Sequence, residues 1–219
     1  FELYADEAQY WRWGQTLDWG YYSKPPLVAW TIAMSSNLLG ATEAGVRLFA
    51  PILHAVAALA IWALARRMMG PWPALIATAA YAFMPGIVLS STIISTDGVL
   101  FPFWCIARYL LWRHRENDAG WPETLALGAA IGLGFLAKYA ALYFVIGIAL
   151  TSLIAAPTRR AMLTRKGIAI AVVATALLAP HLAWNAANSF QTVGHTVDNA
   201  NLGGELFNLD HLPQFLGDQ

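Results

Sequence analysis

The sequence predicts an all-α integral membrane protein, a multi-spanning helical domain whose first outer loop carries interfacial helices. Three observations predict it. Of 219 residues, 58% are hydrophobic and 12% charged, where soluble domains carry about 25% charged residues. Uncharged runs of spanning length recur along the chain. Basic residues collect in the links between those runs, which is how cytoplasmic loops are marked. The zero net charge argues against a nucleic-acid partner. The single cysteine, Cys105, lies in an apolar run and excludes an internal disulfide or a cysteine-based metal site.

The first element is the stretch 5–30, ADEAQYWRWGQTLDWGYYSKPPLVAW, which sets two acids, Asp6 and Glu7, and many aromatics ahead of the apolar runs. Asp6, Tyr10, Trp13 and Leu17 fall at helical spacing, so a short helix from Asp6 carries one aromatic face. Such a face suits a lipid–water interface. Asp18-Trp19-Gly20 reads as the stop. Pro25-Pro26 forbids regular helix at Lys24 and holds it in an extended segment. Taken alone, these features also fit an interfacial helix and an anchoring lysine without chemistry. Residues 27–41 are uncharged but modest in length, and Ser35-Ser36-Asn37 favours a surface or re-entrant helix over a crossing.

Residues 48–65 form the next uncharged run, closed by Arg66-Arg67, and residues 73–96 form another, closed by Asp97. Residues 98–112 follow, with Arg108 able to snorkel. Two apolar runs, 124–137 and 139–156, are interrupted by Lys138. After Arg159, Arg160, Arg165 and Lys166 comes a last run, 167–184, and then a tail rich in Asn, Gly and His. The expected division is one domain: a first outer loop (1–47), about six transmembrane helices (48–184) and an outer segment (185–219). The chain opens at Phe1 without methionine and closes in a polar stretch, so a fragment truncated at both ends is expected.

Nine of the thirteen basic residues fall in or beside three links, and ten of the thirteen acids fall elsewhere. If the three links are cytoplasmic, residues 73–112 and 124–156 are hairpins, with tips at residues 95–97 and at Lys138. Asp6, Lys24, Asp97 and Lys138 then emerge on one membrane face, where charges near helix ends tend to have partners or ligands. A mutual ion pair between Asp97 and Lys138, tying the hairpins together, is one reading. A transporter using those two as coupling residues is another, although no inverted repeat is visible and both fall at helix ends. A scaffold without chemistry leaves the clustered outer charges unexplained.

DEAQYW followed by LDWGYYSKPPLVAW resembles the first extracytoplasmic loop of GT-C glycosyltransferases of the protein-mannosyltransferase and aminoarabinose-transferase type. SSTIISTDGVLFPFW resembles the family's second outer loop, GLGFLAKYAALYF its lysine-bearing hairpin, and PHLAWNAANSFQTVGHTVDNAN a later outer segment of bacterial members. The resemblance covers most of the chain and implies a GT-C-type fold. It also implies transfer of a sugar from a polyprenyl-phosphate donor to a hydroxyl of a lipid A, glycolipid or protein acceptor, at the periplasmic face of the bacterial inner membrane. Asp6 would be the catalytic aspartate and Lys24 a phosphate ligand.

Such a transfer needs a base at the acceptor hydroxyl, cations on the phosphate, and an apolar groove for the lipid tail. Asp6 is the expected base and Asp97 the second catalytic carboxylate. Lys24, Lys138 and Arg12 are expected to meet the phosphate, with Glu7, Tyr22, His181 and Asn185 as further substrate-binding candidates. His181 also fits an interfacial hydrogen-bonding role. No metal ligand set is visible and no cofactor is required, although a divalent metal is not excluded.

Overall fold

The computed structural model describes residues 3–199 and Gly217. Among them the regular structure is helical: α1 (Ala5–Gly14), α2 (Leu27–Leu39), α3 (Glu43–Arg47), α4 (Phe49–Met69), α5 (Pro71–Phe83), α6 (Pro85–Ser90), α7 (Thr96–Arg115), α8 (Trp121–Ala137), α9 (Ala141–Ile154), α10 (Ala156–Met162), α11 (Arg165–Ala187) and α12 (Gln191–Asn199). Residues beyond 199 that belong to the expected outer segment lie outside the described part, apart from Gly217.

The bundle is a row in which α5 packs on α4, α4 on α7, α7 on α8 and α8 on α11. α4 and α11 are each long and apolar enough to cross a membrane by themselves. The uncharged run 73–96 does not form one helix. Met84 takes an extended conformation ahead of Pro85, which splits it into α5 and α6. The run after Lys138 ends at Ala155, and α10 turns away from α9 by 118°. α10 therefore folds back as a short helix bearing Arg159 and Arg160.

Large apolar side chains such as Trp72, Ile76, Phe83, Leu153 and Ile154 are exposed on the outside of the bundle. That is the arrangement of a lipid-facing surface, and the chain is an integral membrane protein. Between helices in lipid the hydrophobic effect is weak, so close packing must hold them together. Gly128 and Gly132 of α8 supply it: a Cβ at Gly128 would lie 2.7 Å from the Ile170 carbonyl oxygen, and one at Gly132 2.9 Å from Leu177 Cβ.

Above the bundle, α1, α2 and α3 form a cap. The 13-residue α2 measures about 20 Å at 1.5 Å per residue, too short to cross a hydrocarbon core of about 30 Å. It packs on α1 and α3. Tyr10, Val28, Ile32 and Val46 of the cap share one buried cluster with Ile94, Val99, Leu100 and Ala137. This cluster fixes the first loop over the upper ends of α7 and α8.

α1 stops earlier than its sequence suggests. Gly14, rather than Gly20, ends it, and Leu17 lies past the end and exposed. Gly14 is needed for close approach, since a Cβ there would sit 3.0 Å from the Ala29 carbonyl oxygen. Accordingly the packed face runs through the buried Glu7 and Tyr10 to the half-buried Gly14, one step around the helix from the Asp6–Leu17 stripe.

Candidate active site

Asp6 and Asp97 occupy equivalent places. Each is the second residue of its helix, after the N-caps Tyr4 and Ser95, where free backbone N–H groups favour an anion. Ser95 accepts a hydrogen bond from the Gly98 amide at 3.1 Å and so fixes the start of α7. Near the two aspartates stands Tyr10, whose phenol has Thr96 beside it and feels the charges of Asp6 and Asp97. Burial first, and then the two carboxylates, push the Tyr10 phenol well above its ordinary value, so it stays a protonated donor.

Lys138 follows α8 in an extended conformation and donates to both Asp97 oxygens, at 2.8 and 2.7 Å. The ion-pair reading of these residues is thus met, but its partners are 35% and 52% exposed. An exposed pair contributes only about 0–1 kcal/mol, too little to be the tie between two hairpins. An ammonium has three donors, and two engage Asp97, so one remains for a ligand. Lys24, held between Ser23 and Pro25, lines the same cavity as Lys138, Tyr139 and His195, with a volume of about 460 Å³. The structure thus sets Lys24 and Lys138 at one cavity, with Asp97 paired to Lys138 and Tyr10 near both Asp97 and Asp6. Arg12 lies exposed in the last turn of α1. Tyr22 is exposed, with its ring 5.1 Å from that of His195 on α12.

Glu7 points the other way. It is 1% exposed, and its carboxylate accepts from Arg47 Nη2 at 2.6 Å, Arg47 Nε at 2.9 Å, the Ile94 amide at 3.0 Å and the Tyr4 amide at 3.2 Å. Burial alone would raise its pKa, but Arg47 and the two backbone amides outweigh it and hold the carboxyl below its ordinary value. Both oxygens are occupied by the protein, which locks α1 to α3 and to the segment just before Asp97.

His181 and Asn185 of α11 are likewise fully buried. The Trp19 carbonyl can only accept, so His181 Nδ1–H donates to it at 2.6 Å. That tautomer leaves Nε2 to accept from the Tyr139 hydroxyl at 2.6 Å. Burial pushes the Tyr139 phenol up to about 12, which keeps it a donor. Asn185 donates to the His181 carbonyl at 3.2 Å and approaches the Tyr139 hydroxyl at 3.4 Å, while its Oδ1 has no partner. These residues hold the first loop against the turn after Lys138. Gly20 permits that seat, since a Cβ there would fall 2.4 Å from the Trp184 ring.

Sequence reasoning did not name Tyr10, Thr96, Arg47 or Tyr139 as site residues. A signal for Tyr10 existed, one helical turn after Asp6. None existed for Arg47, which is 40 residues from its partner. Among the described residues no cluster of three His, Cys, Asp or Glu side chains could hold a metal ion.

Comparison with known proteins agrees with this fold. Residues 23–184 match the family described as dolichyl-phosphate-mannose-protein mannosyltransferase. The chain is 40% identical over 202 residues to a lipid A galacturonosyltransferase, RgtD, of Rhizobium johnstonii, covering 91% of this chain and 42% of that protein. The crystal structure of apo ArnT from Cupriavidus metallidurans superimposes with a TM-score of 0.71 at 17% identity, over 98% of this chain and 43% of that one. This chain thus spans less than half the length of either relative, and the fold is of the GT-C type. It belongs to the dolichyl-phosphate-mannose-protein mannosyltransferase family.

Proposed function

We propose that this chain carries the donor side of a membrane glycosyltransferase, which moves a sugar from a polyprenyl phosphate to a hydroxyl of a cell-envelope acceptor. Lipid A is the favoured acceptor class, by likeness to the Rhizobium enzyme. The observation that carries the reading is a chain of neighbours from three loops: Lys24 and Lys138 line one cavity, Asp97 pairs with Lys138, and Tyr10 feels the charges of both Asp97 and Asp6. Family membership favours sugar transfer over a transporter that couples through Asp97 and Lys138. The basic links at the opposite ends of the helices support a periplasmic position for this face, in the inner membrane.

In this reading Lys24 and the free donor of Lys138 grip the donor phosphate and stabilise the charge it gains on leaving. Asp6 takes the acceptor's proton as the hydroxyl attacks the anomeric carbon, the bond to the phosphate oxygen breaking as the new one forms. Among the described residues no ion pair forms on Asp6, whereas Lys138 engages both oxygens of Asp97. Tyr10 stays a neutral phenol beside Asp6, and Asp97 orients Lys138. Glu7, His181 and Asn185 position the loops rather than touch substrate, while Tyr22 stands beside the cavity-lining His195.

The test is donor binding by the full-length protein. Lys24→Ala and Lys138→Ala should each weaken polyprenyl-phosphate binding by about 2–3 kcal/mol, typical of truncating a charge-assisted contact. Lys24→Arg should rescue only in part, because a planar guanidinium fits a tight phosphate site differently. Unchanged affinity in both alanine variants would leave the two lysines as structural charges.

A further inference from the structure

At the far end of the bundle from the Asp97–Lys138 pair, a crevice of about 380 Å³ opens between α4, α7, α9 and α10. The sugar-transfer reading makes no use of it. Arg108, Trp112 and Arg115 of α7 and Thr158 of α10 form its polar lining, with Leu64 and Phe144 among its apolar walls. About 27 Å of helix, at 1.5 Å per residue, separates Asp97 from Arg115. That is close to the roughly 30 Å hydrocarbon thickness, so Arg115 stands at the level of the second interface.

The crevice holds buried polar groups that lack a partner: Trp112 Nε1, Arg115 Nε and Thr158 Oγ1. Thr158 is completely buried. Native structures leave few such groups, and each asks for an explanation. An indole N–H and a guanidinium N–H can only donate, so the missing group is an acceptor. It is also negative. The guanidinium of Arg115 is held 4.9 Å over the Trp112 ring, and among the described residues neither Arg108 nor Arg115 has an ion pair. The acids of this end are committed elsewhere, Glu116 and Asp118 to Arg67, and Glu123 to Arg113.

The geometry points to a binding site for an anionic glycerophospholipid. Its phosphodiester accepts from Trp112, Arg115 and Thr158, Arg108 adds charge, and one acyl chain lies along Leu64 and Phe144. Basic pockets between membrane helices are suited to such headgroups.

Native mass spectrometry of the full-length protein, after exchange into detergent with a defined lipid, reads this directly. Phosphatidylglycerol should be retained as one tightly bound copy, at least about tenfold better than phosphatidylcholine. Trp112→Phe and Thr158→Val keep the shape and remove one donor each, and each should cut retention by about tenfold. Arg115→Gln should cut it further, and Arg159→Gln, outside the crevice, should leave it unchanged. Added inorganic phosphate should not displace the lipid. The site would be refuted by equal retention of the two lipids, by no retained lipid at all, or by an Arg159→Gln effect as large as that of Arg115→Gln. Displacement by inorganic phosphate would make it a free-anion site and overturn the lipid assignment. No outcome depends on transferase activity.

Discussion

Asp6 and Glu7 are neighbours in sequence with opposite lives in the fold. About 100° of helical rotation separates them, and that leaves Asp6 exposed and turns Glu7 into the core. Sequence spacing gives the rotation but not which side faces inward, because the partner that decides it, Arg47, lies 40 residues away. Glu7→Gln should therefore act on loop seating. Losing one partner of a buried pair costs about 3–5 kcal/mol, and the partial exposure of Arg47, 24%, places this case at the low end. The ion pair also predicts an acid limit. The folded-state pKa of Glu7 lies below its ordinary value of 4.5, so its contribution is fully present above about pH 4.5. It is lost as pH falls from there through the folded pKa. Limited proteolysis of residues 15–24 should be slow and flat from neutral pH to that point and accelerate below it. Glu7→Gln should be cleaved quickly at neutral pH, and a protein as resistant as the parent would remove Glu7 from this role.

The helices themselves were legible as apolar runs, because the lipid solvent forces every backbone amide into regular structure. Their ends were less so. Pro85 breaks the run after α5, yet Pro102 and Pro180 sit inside α7 and α11 without ending them. Proline alone could not distinguish these cases. Small residues carried packing information that periodicity misses: Gly128 and Gly132 let α11 approach α8. Gly132→Val should push α11 away, since its side chain would meet the Ala174 carbonyl oxygen and Leu177. The His181–Tyr139 hydrogen bond should loosen with it, and unfolding temperature in detergent should fall along with transfer activity. An unchanged unfolding temperature would show that α8 and α11 do not depend on this approach.

At the scale of the whole molecule, charge placement was the most informative sequence signal. Asp6, Lys24, Asp97 and Lys138 were expected on one face from the sorting of basic residues, together with a first loop whose residues 27–41 do not cross; in the structure Lys24 and Lys138 line one cavity and Asp97 pairs with Lys138. What the sequence could not supply was the buried framework of Glu7, Arg47, Tyr139 and His181 that holds three loops together. Its partners are joined by long-range contacts with no local pattern. Orientation is checked by cysteines at the exposed Thr16 and Thr92, in a Cys105→Ala background. Both should react with a membrane-impermeant thiol reagent in intact spheroplasts, whereas Asn117→Cys should react only after lysis. The reverse pattern would put the site on the cytoplasmic side.

The account turns on Asp6 as the base that deprotonates the acceptor. Asp6→Asn keeps size and shape but cannot take a proton. Single-turnover transfer by the full-length protein, in proteoliposomes with saturating labelled polyprenyl-phosphate sugar, measures its loss without interference from donor affinity. Asp6→Asn should bind donor like the parent and transfer about 10²–10⁴ times more slowly, the usual contribution of a positioned base. Near-parental transfer in Asp6→Asn, with the large loss appearing in Asp97→Asn instead, would contradict the account and move the base to Asp97.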